Sequence, residues 1–265
     1  MAHVMAEARA SYAFVERNFN LVKRYFNWEV VFLFYNIINT LTIGLIGVGQ
    51  DERTVLYLVI GALLWGYLSV IFFEVSQSIS WERWEGTIEY TFMAPVRRLT
   101  HLLGMCLFAI AYGVIRTAIV LVAVVLFFDL SLKGANLFGA LLMLLVSSVS
   151  FIGLGLVTAV LPLMSPERGS QGAHIVQGII LLVSGVYYDI SVLPAWLRPL
   201  AYISPATYTL EGARLALLDG VGTLALWPYV LKVLVIGVVS IPLGLAIFSW
   251  GERHAMRTGK LKRSG

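Results

Sequence analysis

Long apolar runs separated by short polar segments dominate this sequence. A transmembrane helix needs about 20 mostly apolar residues to cross a hydrocarbon core of roughly 30 Å. Runs near that length occur at residues 28–48, 54–73, 99–128, 137–161, 174–188 and 224–250. Tilt accommodates the short fifth run and the long third and sixth runs. Because backbone groups inside a bilayer find no water, these runs predict helices, and we expect an all-α integral membrane protein with six transmembrane helices.

Composition supports this interpretation and excludes several other classes of protein. Hydrophobic residues make up 59% of the chain and charged residues 13%, against about 45–50% and 25% in soluble domains. The mean hydropathy of this chain is +0.84, which excludes a disordered or nucleic-acid-binding protein. The single cysteine, Cys106, lies in an apolar run, so a disulfide framework and a cysteine-rich metal site are also excluded.

The basic residues are distributed unevenly between the two sides of the predicted spans. Short cytoplasmic segments carry an excess of lysine and arginine, and the pattern fits when both chain ends are cytoplasmic. The few basic residues then left on the outer side are Arg53, Lys133, Arg198 and Arg214. We therefore expect a multi-pass protein of the plasma (inner) membrane. Its single domain, residues 1–265, comprises a cytoplasmic amphipathic segment (1–27), a six-span core (28–250) and a basic cytoplasmic tail (251–265).

An amphipathic segment precedes the first span. The apolar residues that recur there at helical spacing are Val15, Phe19, Val22 and Phe26. Charged residues fall on the other faces, which is the pattern of a helix lying in the membrane interface. Two interpretations stay open, a plain anchor and a docking surface for a cytoplasmic partner.

A second amphipathic segment, residues 80–98, follows the second span on the predicted cytoplasmic side. One helical stripe consists of Trp81, Trp84, Ile88 and Phe92, and the next consists of Glu82, Glu85 and Glu89. Anionic headgroups repel an acidic stripe, so we expect the glutamates to face protein or water. Pro95 disfavours a helix at the preceding residue and predicts a turn before the third span.

The outer segment between the fifth and sixth runs, residues 189–222, is too long for a simple loop and too polar for a span. Pro194, Pro199 and Pro205 divide it into short pieces. It predicts a re-entrant helical hairpin that enters from the outer surface and is covered by protein. Glu211 and Arg214 are spaced to form a local ion pair.

No catalytic motif is found in the sequence. The pair Gly259-Lys260 is followed by Leu261 and lacks the phosphate-binding loop of a Walker A motif. No Gly-x-Ser-x-Gly or His-Glu-x-x-His sequence occurs, and the four histidines are scattered. We therefore expect a chain that is not an enzyme and binds no cofactor or metal.

The interiors of the predicted spans contain few ionisable residues. They are Arg116 near a span centre, Lys232 near an outer end and Glu74 near an inner end. An ion-driven carrier is expected to hold more of them. Lys232 is expected to snorkel and Glu74 to reach water, whereas Arg116 is a possible pathway charge that contacts an anionic substrate or a structural partner.

Two segments carry a family resemblance. The stretch Glu85-Gly86-Thr87-Ile88-Glu89-Tyr90 through Ala94-Pro95-Val96-Arg97-Arg98 resembles the cytoplasmic signature of type-2 ABC permeases, the drug, lipid and polysaccharide export type. Ser184-Gly185-Val186-Tyr187-Tyr188, Leu193-Pro194-Ala195-Trp196-Leu197, Ser204-Pro205-Ala206-Thr207-Tyr208 and Glu211-Gly212-Ala213-Arg214 resemble its outer hairpin. The resemblance covers nearly the whole chain.

This resemblance implies a transport subunit without its own ATPase site. It implies a second permease copy, either identical or a related paralogue, and two copies of a separate ATPase subunit that binds ATP and Mg²⁺. The residues it implies for ATPase coupling are Trp81, Glu82, Trp84, Glu85, Glu89 and Pro95. Those it implies for an outer re-entrant gate are Pro194, Trp196, Pro205, Tyr208, Glu211 and Arg214.

The resemblance also bears on the substrate. The polysaccharide branch of the family usually carries a basic Arg-Tyr-Lys-type element followed by Leu-Gly and Trp before its first span. Here Lys23-Arg24-Tyr25-Phe26-Asn27-Trp28 retains only part of it. We therefore expect export of an amphiphile, such as a drug, an antibiotic or a lipid-like molecule. The alternatives are a lipid-linked glycan exporter and, from another class, an ion-coupled secondary carrier.

Overall fold

The computed structural model describes residues 2–93, 96–130 and 133–258. Within those ranges the fold is built of helices and contains no β-strand. The α-helices are α1 (Ala2–Arg24), α2 (Phe26–Gly47), α3 (Glu52–Trp84), α4 (Ile88–Met93), α5 (Arg98–Phe128), α6 (Leu137–Thr158), α7 (Val160–Met164), α8 (Pro166–Val183), α9 (Arg198–Ile203), α10 (Pro205–Leu218) and α11 (Trp227–Arg257). Short 3₁₀ helices occur at Ile190–Val192 and Thr223–Leu226. The all-α prediction is therefore confirmed.

Helices of transmembrane length account for most of the predicted spans. In the described part of the chain, 5 stretches are long and apolar enough to cross a membrane: Phe26–Gly47, Glu52–Ser78, Leu99–Phe128, Leu137–Met164 and Thr223–Arg257. They coincide with the first four predicted spans and the sixth. In α8, only Gln171–Val183 forms an apolar helix, and it is shorter than the others. A multi-pass membrane protein is confirmed, and the sixth crossing stays a prediction.

Several helix boundaries differ from the predicted ones. The fifth and sixth runs were predicted at 174–188 and 224–250, whereas α8 is Pro166–Val183 and α11 is Trp227–Arg257. The second span was predicted to end at residue 73, but α3 continues to Trp84, roughly 16 Å farther along its axis. The fourth run is divided, because α6 ends at Thr158 and α7 begins at Val160. Pro162 has no backbone N–H to donate to the Thr158 carbonyl, and this interrupts the helix.

The core is centred on α3, which packs against α2, α5, α6, α8 and α10. Tyr67 of α3 is fully buried, and its hydroxyl lies 2.7 Å from Ser148 Oγ on α6. Small residues let α6 and α11 approach closely, as is typical of membrane helices. A Cβ added at Gly244 of α11 would lie 2.7 Å from the Gly153 carbonyl oxygen of α6. Helix packing therefore brings backbones into direct contact here.

The amphipathic N-terminal segment forms α1, as its spacing predicts, but the helix ends at Arg24. Phe26 belongs to α2 and does not continue the apolar face. The other residues of that face, Val15, Phe19 and Val22, pack against Val70, Phe108 and Tyr112 of α3 and α5. The apolar face is thus used to contact protein, and a position in the membrane interface stays a prediction.

Outside the spans, α9 and α10 form the outer helical segment. Pro199 lies in the first turn of α9, and Pro205 is the first residue of α10, where a missing N–H has no cost. The division into short helices at the prolines is confirmed. Re-entry of this segment into the membrane stays a prediction.

Candidate functional site

The predicted coupling segment consists of two helices and not one. The end of α3 is followed by Gly86, which has a φ of 71°, and Thr87 N donates to the Glu82 carbonyl oxygen at 2.9 Å. A glycine in the left-handed region with this backbone bond forms a Schellman termination. The continuous stripe expected over residues 80–98 was therefore wrong. Glu82 and Glu85 lie at the end of α3, whereas Glu89 lies on the separate helix α4.

Glu82 lies inside the protein. Its side chain is 3% exposed, and its Oε1 accepts hydrogen bonds from Arg17 Nη2 at 2.8 Å and from His101 Nε2 at 2.9 Å. Burial raises the pKa of this carboxyl, but the bonds and charges of His101 and Arg17 outweigh burial and hold the pKa below its ordinary value. Glu82 thereby joins α3 to α1 and α5. Of the two environments expected for Glu82, protein or water, the structure shows protein.

Glu85 is held by the junction between α1 and α2. Tyr25 Oη donates to Glu85 Oε1 at 2.7 Å, and Arg24 Nη1 lies 3.5 Å from Glu85 Oε2. The hydrogen bond to Glu85 raises the pKa of Tyr25. The inner end of α3 is thus fastened to the N-terminal segment at two successive positions, Glu82 and Glu85. A direct contact of either glutamate with an ATPase stays a prediction.

The aromatic residues of the coupling segment are more open to the surroundings. Trp81 is 43% exposed and Trp84 is 62% exposed, with their rings in edge contact at 5.6 Å. The Trp84 ring also lies 5.5 Å from that of Tyr25. Pro95 lies outside the described residues, as does the side chain of Glu89, so both remain sequence-based predictions.

Next to this region lies a cavity of about 1140 Å³, which we call the inner cavity. It is bounded by α1, the start of α2, the inner half of α3 and α5, with His174 of α8. On α3 its wall extends from Phe73 to Trp84, a rise of roughly 16 Å. Its volume slightly exceeds the roughly 300–1,000 Å³ typical of small-molecule sites. The cavity therefore has room for a drug-sized or lipid-like molecule.

Polar side chains meet at the deep end of the inner cavity. Glu29 of α2 and Glu74 of α3 both line it. The Tyr112 hydroxyl donates to Glu29 Oε2, and Arg116 Nη1 donates to the Tyr112 oxygen at 3.2 Å. Arg116 also lies over the Tyr112 ring, 5.4 Å from its centroid. Arg116 therefore has a structural partner, the Tyr112 hydroxyl.

Several residues of this region were missed at the level of sequence. Glu29 is the second residue of the run predicted as the first span, yet it was not counted among the intramembrane charges. The ladder Arg17–Glu82–His101 joins positions separated by 65 and 19 residues. No local pattern indicates such a ladder, whereas Glu29 was readable as a charge inside an apolar run.

On the outer side, Arg214 fastens α10 to the rest of the protein. It donates from Nη1 to the Gly185 carbonyl oxygen at 3.0 Å and from Nη2 to that of Val186 at 2.5 Å. Its guanidinium lies 3.5 Å from the ring centroid of Tyr57. Among the described residues, Arg214 and Glu211 form no ion pair, so the predicted local pair was wrong. Backbone carbonyls after α8 offer Arg214 closer partners.

The other predicted gate residues lie on α10 and in the segment that precedes it. Pro205 is buried at the start of α10, and Trp196 is 75% exposed beyond Pro194. Tyr208 donates to the Tyr202 carbonyl oxygen at 2.9 Å, and Lys232 Nζ lies 4.8 Å from its ring centroid. The role of these residues as a gate stays a prediction.

Comparison with known protein families identifies the family of this chain. The model of the ABC-2 type transporter family matches residues 10–218. The chain belongs to the ABC-2 type transporter family. No curated protein sequence matches it significantly.

Membership of the ABC-2 family confirms the resemblance seen in the sequence. An ABC-2 membrane subunit is a transport permease that lacks its own ATPase domain and works with an ABC ATPase subunit. The match begins within α1 and ends at Leu218, the last residue of α10. It therefore includes the coupling segment, the inner cavity and the Arg214 anchor of this ABC-2 permease.

Proposed function

We propose that this ABC-2 permease is the membrane subunit of an ATP-driven exporter of an amphiphilic substrate. Two permease copies form the conduit and two copies of a separate ATPase subunit bind ATP and Mg²⁺. In this proposal both chain ends are cytoplasmic, α8 supplies the fifth crossing, and the protein lies in the plasma (inner) membrane. The substrate leaves the cytoplasm or the inner leaflet.

The observation that carries the proposal is the attachment of Glu82. Because one carboxylate oxygen bonds to Arg17 of α1 and His101 of α5, a displacement of the inner end of α3 also displaces those helices. Movement of whole packed helices is a common way to transmit a switch. An ATPase that binds the neighbouring segment around Glu85 and Glu89 would thus move α1, α3 and α5 together.

The conduit is proposed to lie between the two permease copies. The first, second and fifth spans, which are α2, α3 and α8, line it. The outer segment that contains Pro194, Trp196, Pro205 and Tyr208 closes it on the far side. Support comes from the exposed apolar face of α2, which carries Phe34, Tyr35 and Ile38 and has no covering helix among the described residues.

Reconstitution with the cognate ABC ATPase subunit tests this function. Proteoliposomes that contain both subunits should hydrolyse ATP faster when an amphiphile is added, and either subunit alone should not respond. The double substitution E85K E89K should abolish the stimulated hydrolysis while membrane insertion is retained, because two positive charges replace the acidic contact. Unchanged hydrolysis in the double variant would remove both residues from the coupling role.

A matched control lies on the same helix. Glu52 is the first residue of α3 and is exposed at the opposite, outer end. E52K makes the same charge change there and should leave stimulated hydrolysis intact. Transport that persists without ATP and follows an ion gradient would instead support a secondary carrier. Stimulation by a lipid-linked glycan alone would support the polysaccharide type of exporter.

A further inference from the structure

The inner cavity carries an excess of negative charge. The carboxylates on its wall are those of Glu16, Glu29, Glu74, Glu82 and Glu85, and the guanidinium groups are those of Arg17 and Arg24. Arg17 pairs with Glu82, and Arg24 pairs with Glu85. Both cations of the wall are therefore engaged at the inner end of the cavity. Glu29 and Glu74 are left without an arginine or lysine on the wall.

The deep carboxylates, Glu29 and Glu74, face the same space from two helices. Glu74 lies within electrostatic reach of Glu29 and of Arg116. Arg116, however, donates to the Tyr112 hydroxyl and does not line the inner cavity. Glu29 and Glu74 therefore make this part of the cavity acidic, because the one nearby arginine, Arg116, lies outside the cavity lining. Glu29 and Glu74 lie within stretches long and apolar enough to cross a membrane, where a carboxylate is costly unless a positive charge comes close to it.

A further acceptor borders the same space. Glu82 is 3% exposed, and its Oε2 has no hydrogen-bond donor among the described residues. Its Oε1 already accepts the bonds from Arg17 and His101. This buried oxygen adds to the negative potential on that side of the cavity.

Aromatic rings form another part of the wall. They belong to Trp28, Phe32, Phe73 and Phe108, and we call them the aromatic wall. Trp28 is 64% exposed and Phe32 is 52% exposed. Ring faces attract cations as well as apolar groups. Rings next to carboxylates thus match a molecule that has both a positive charge and a large apolar body.

We propose that the inner cavity binds a cationic amphiphile, with its positive group between Glu29 and Glu74 and its apolar body against the aromatic wall. This inference rests on the proposed function and names its substrate class. An anionic amphiphile, including a phosphate-linked lipid, would bring its charge against the two carboxylates. Charge complementarity therefore favours the cation.

Two ions of the same shape and opposite charge test the inference. Tetraphenylphosphonium and tetraphenylborate are titrated separately by calorimetry into the purified full-length permease in detergent, with protein-free micelles as the blank. The wild-type protein should bind the phosphonium at least about tenfold more tightly than the borate, since each tenfold corresponds to only about 1.4 kcal/mol. Equal or tighter binding of the borate overturns the inference.

Neutral substitutions locate the site. E29Q and E74Q should each weaken phosphonium binding by about tenfold, because each removes one charge partner of the cation. The control E52Q, on α3 at the outer end, should bind like the wild type. If E29Q and E74Q both bind like the wild type, the inference is wrong. E29K provides a second measurement, and a correctly folded E29K protein should prefer the borate.

This assay separates the inference from the proposed function. The permease is tested without its ATPase, so binding does not depend on transport. Phosphonium binding without ATP-driven export would retain the site and reject the exporter. ATP-driven export of other amphiphiles without phosphonium binding would retain the exporter and reject the cationic site.

Discussion

The Glu82 ladder allows a quantitative prediction for the variant E82Q. The substitution keeps the size of the side chain and removes its charge. A hydrogen bond to a charged group contributes about 1.5–3 kcal/mol and a neutral one about 0.5–1.5 kcal/mol. The two bonds from Arg17 and His101 should thus lose about 2 kcal/mol together. We take this low value because the Arg17 side chain is 31% exposed and solvent screens its charge.

Thermal unfolding of the purified permease in detergent, followed by tryptophan fluorescence at one fixed scan rate, measures this loss. For a chain of this size, 1 kcal/mol shifts the Tm by about 2–4 °C, so E82Q should unfold roughly 4–8 °C lower. Hydrogen exchange in α1 should also become faster, because α1 loses its attachment to α3. E16Q, one position from Arg17 and exposed, should change neither quantity.

A double-mutant cycle checks the cause. If Arg17 acts through Glu82, the variants R17Q and E82Q should be non-additive by at least about 0.5 kcal/mol, the lower limit for residues in direct contact. A Tm of E82Q within 1 °C of the wild type, together with unchanged exchange in α1, would refute the reasoning. Full additivity would show that Arg17 and Glu82 stabilise the protein separately.

Three further predictions concern other parts of the molecule. In the same thermal assay, G244L should destabilise the protein by about 1–3 kcal/mol, because the new side chain would collide with the Gly153 carbonyl oxygen. G66A should be tolerated, because its added methyl group would make only ordinary contacts. R214K should lower the Tm nearly as much as R214Q, since an ammonium cannot replace a planar group that bonds two carbonyls and stacks on a ring. The Tm difference between the wild type and E82Q should persist above about pH 4.3, the ordinary glutamate pKa, and shrink as the pH falls through the depressed folded-state pKa of Glu82.

The sequence predicted the spans well because apolar length is a local property. The run at residues 99–128 coincides with the span Leu99–Phe128. It did not predict the extension of α3 to Trp84, since Gln77, Ser78 and Glu82 are polar and only tertiary contacts show that they are buried. The end of α3 could have been predicted from Gly86, because a glycine after a helical pattern is a common termination signal.

The site was less predictable than the spans. The sequence drew attention to Glu82 and Glu85, but as one acidic face, whereas Glu82 is buried and their partners Arg17, Arg24 and Tyr25 lie in α1 or directly after it, 60–65 residues earlier. The inner cavity arises from the packing of α1, α2, α3 and α5 and has no counterpart in any single segment. Pairing of Arg214 with Glu211 was expected from spacing alone, and the close carbonyls of Gly185 and Val186 replaced it.

The continuity of α3 links the two proposals. Glu74, at the deep end of the inner cavity, and Glu82, in the ladder to α1 and α5, lie on one unbroken helix, eight residues or about 12 Å apart. A helix of this kind does not shorten, so a displacement of its inner end also moves Glu74, and Glu74 separates from Glu29 if α2 does not follow α3. If Glu29 and Glu74 separate, the two carboxylates can no longer both contact the same cation, and its binding weakens. Movement at the ATPase surface would therefore release the bound amphiphile without a separate signal.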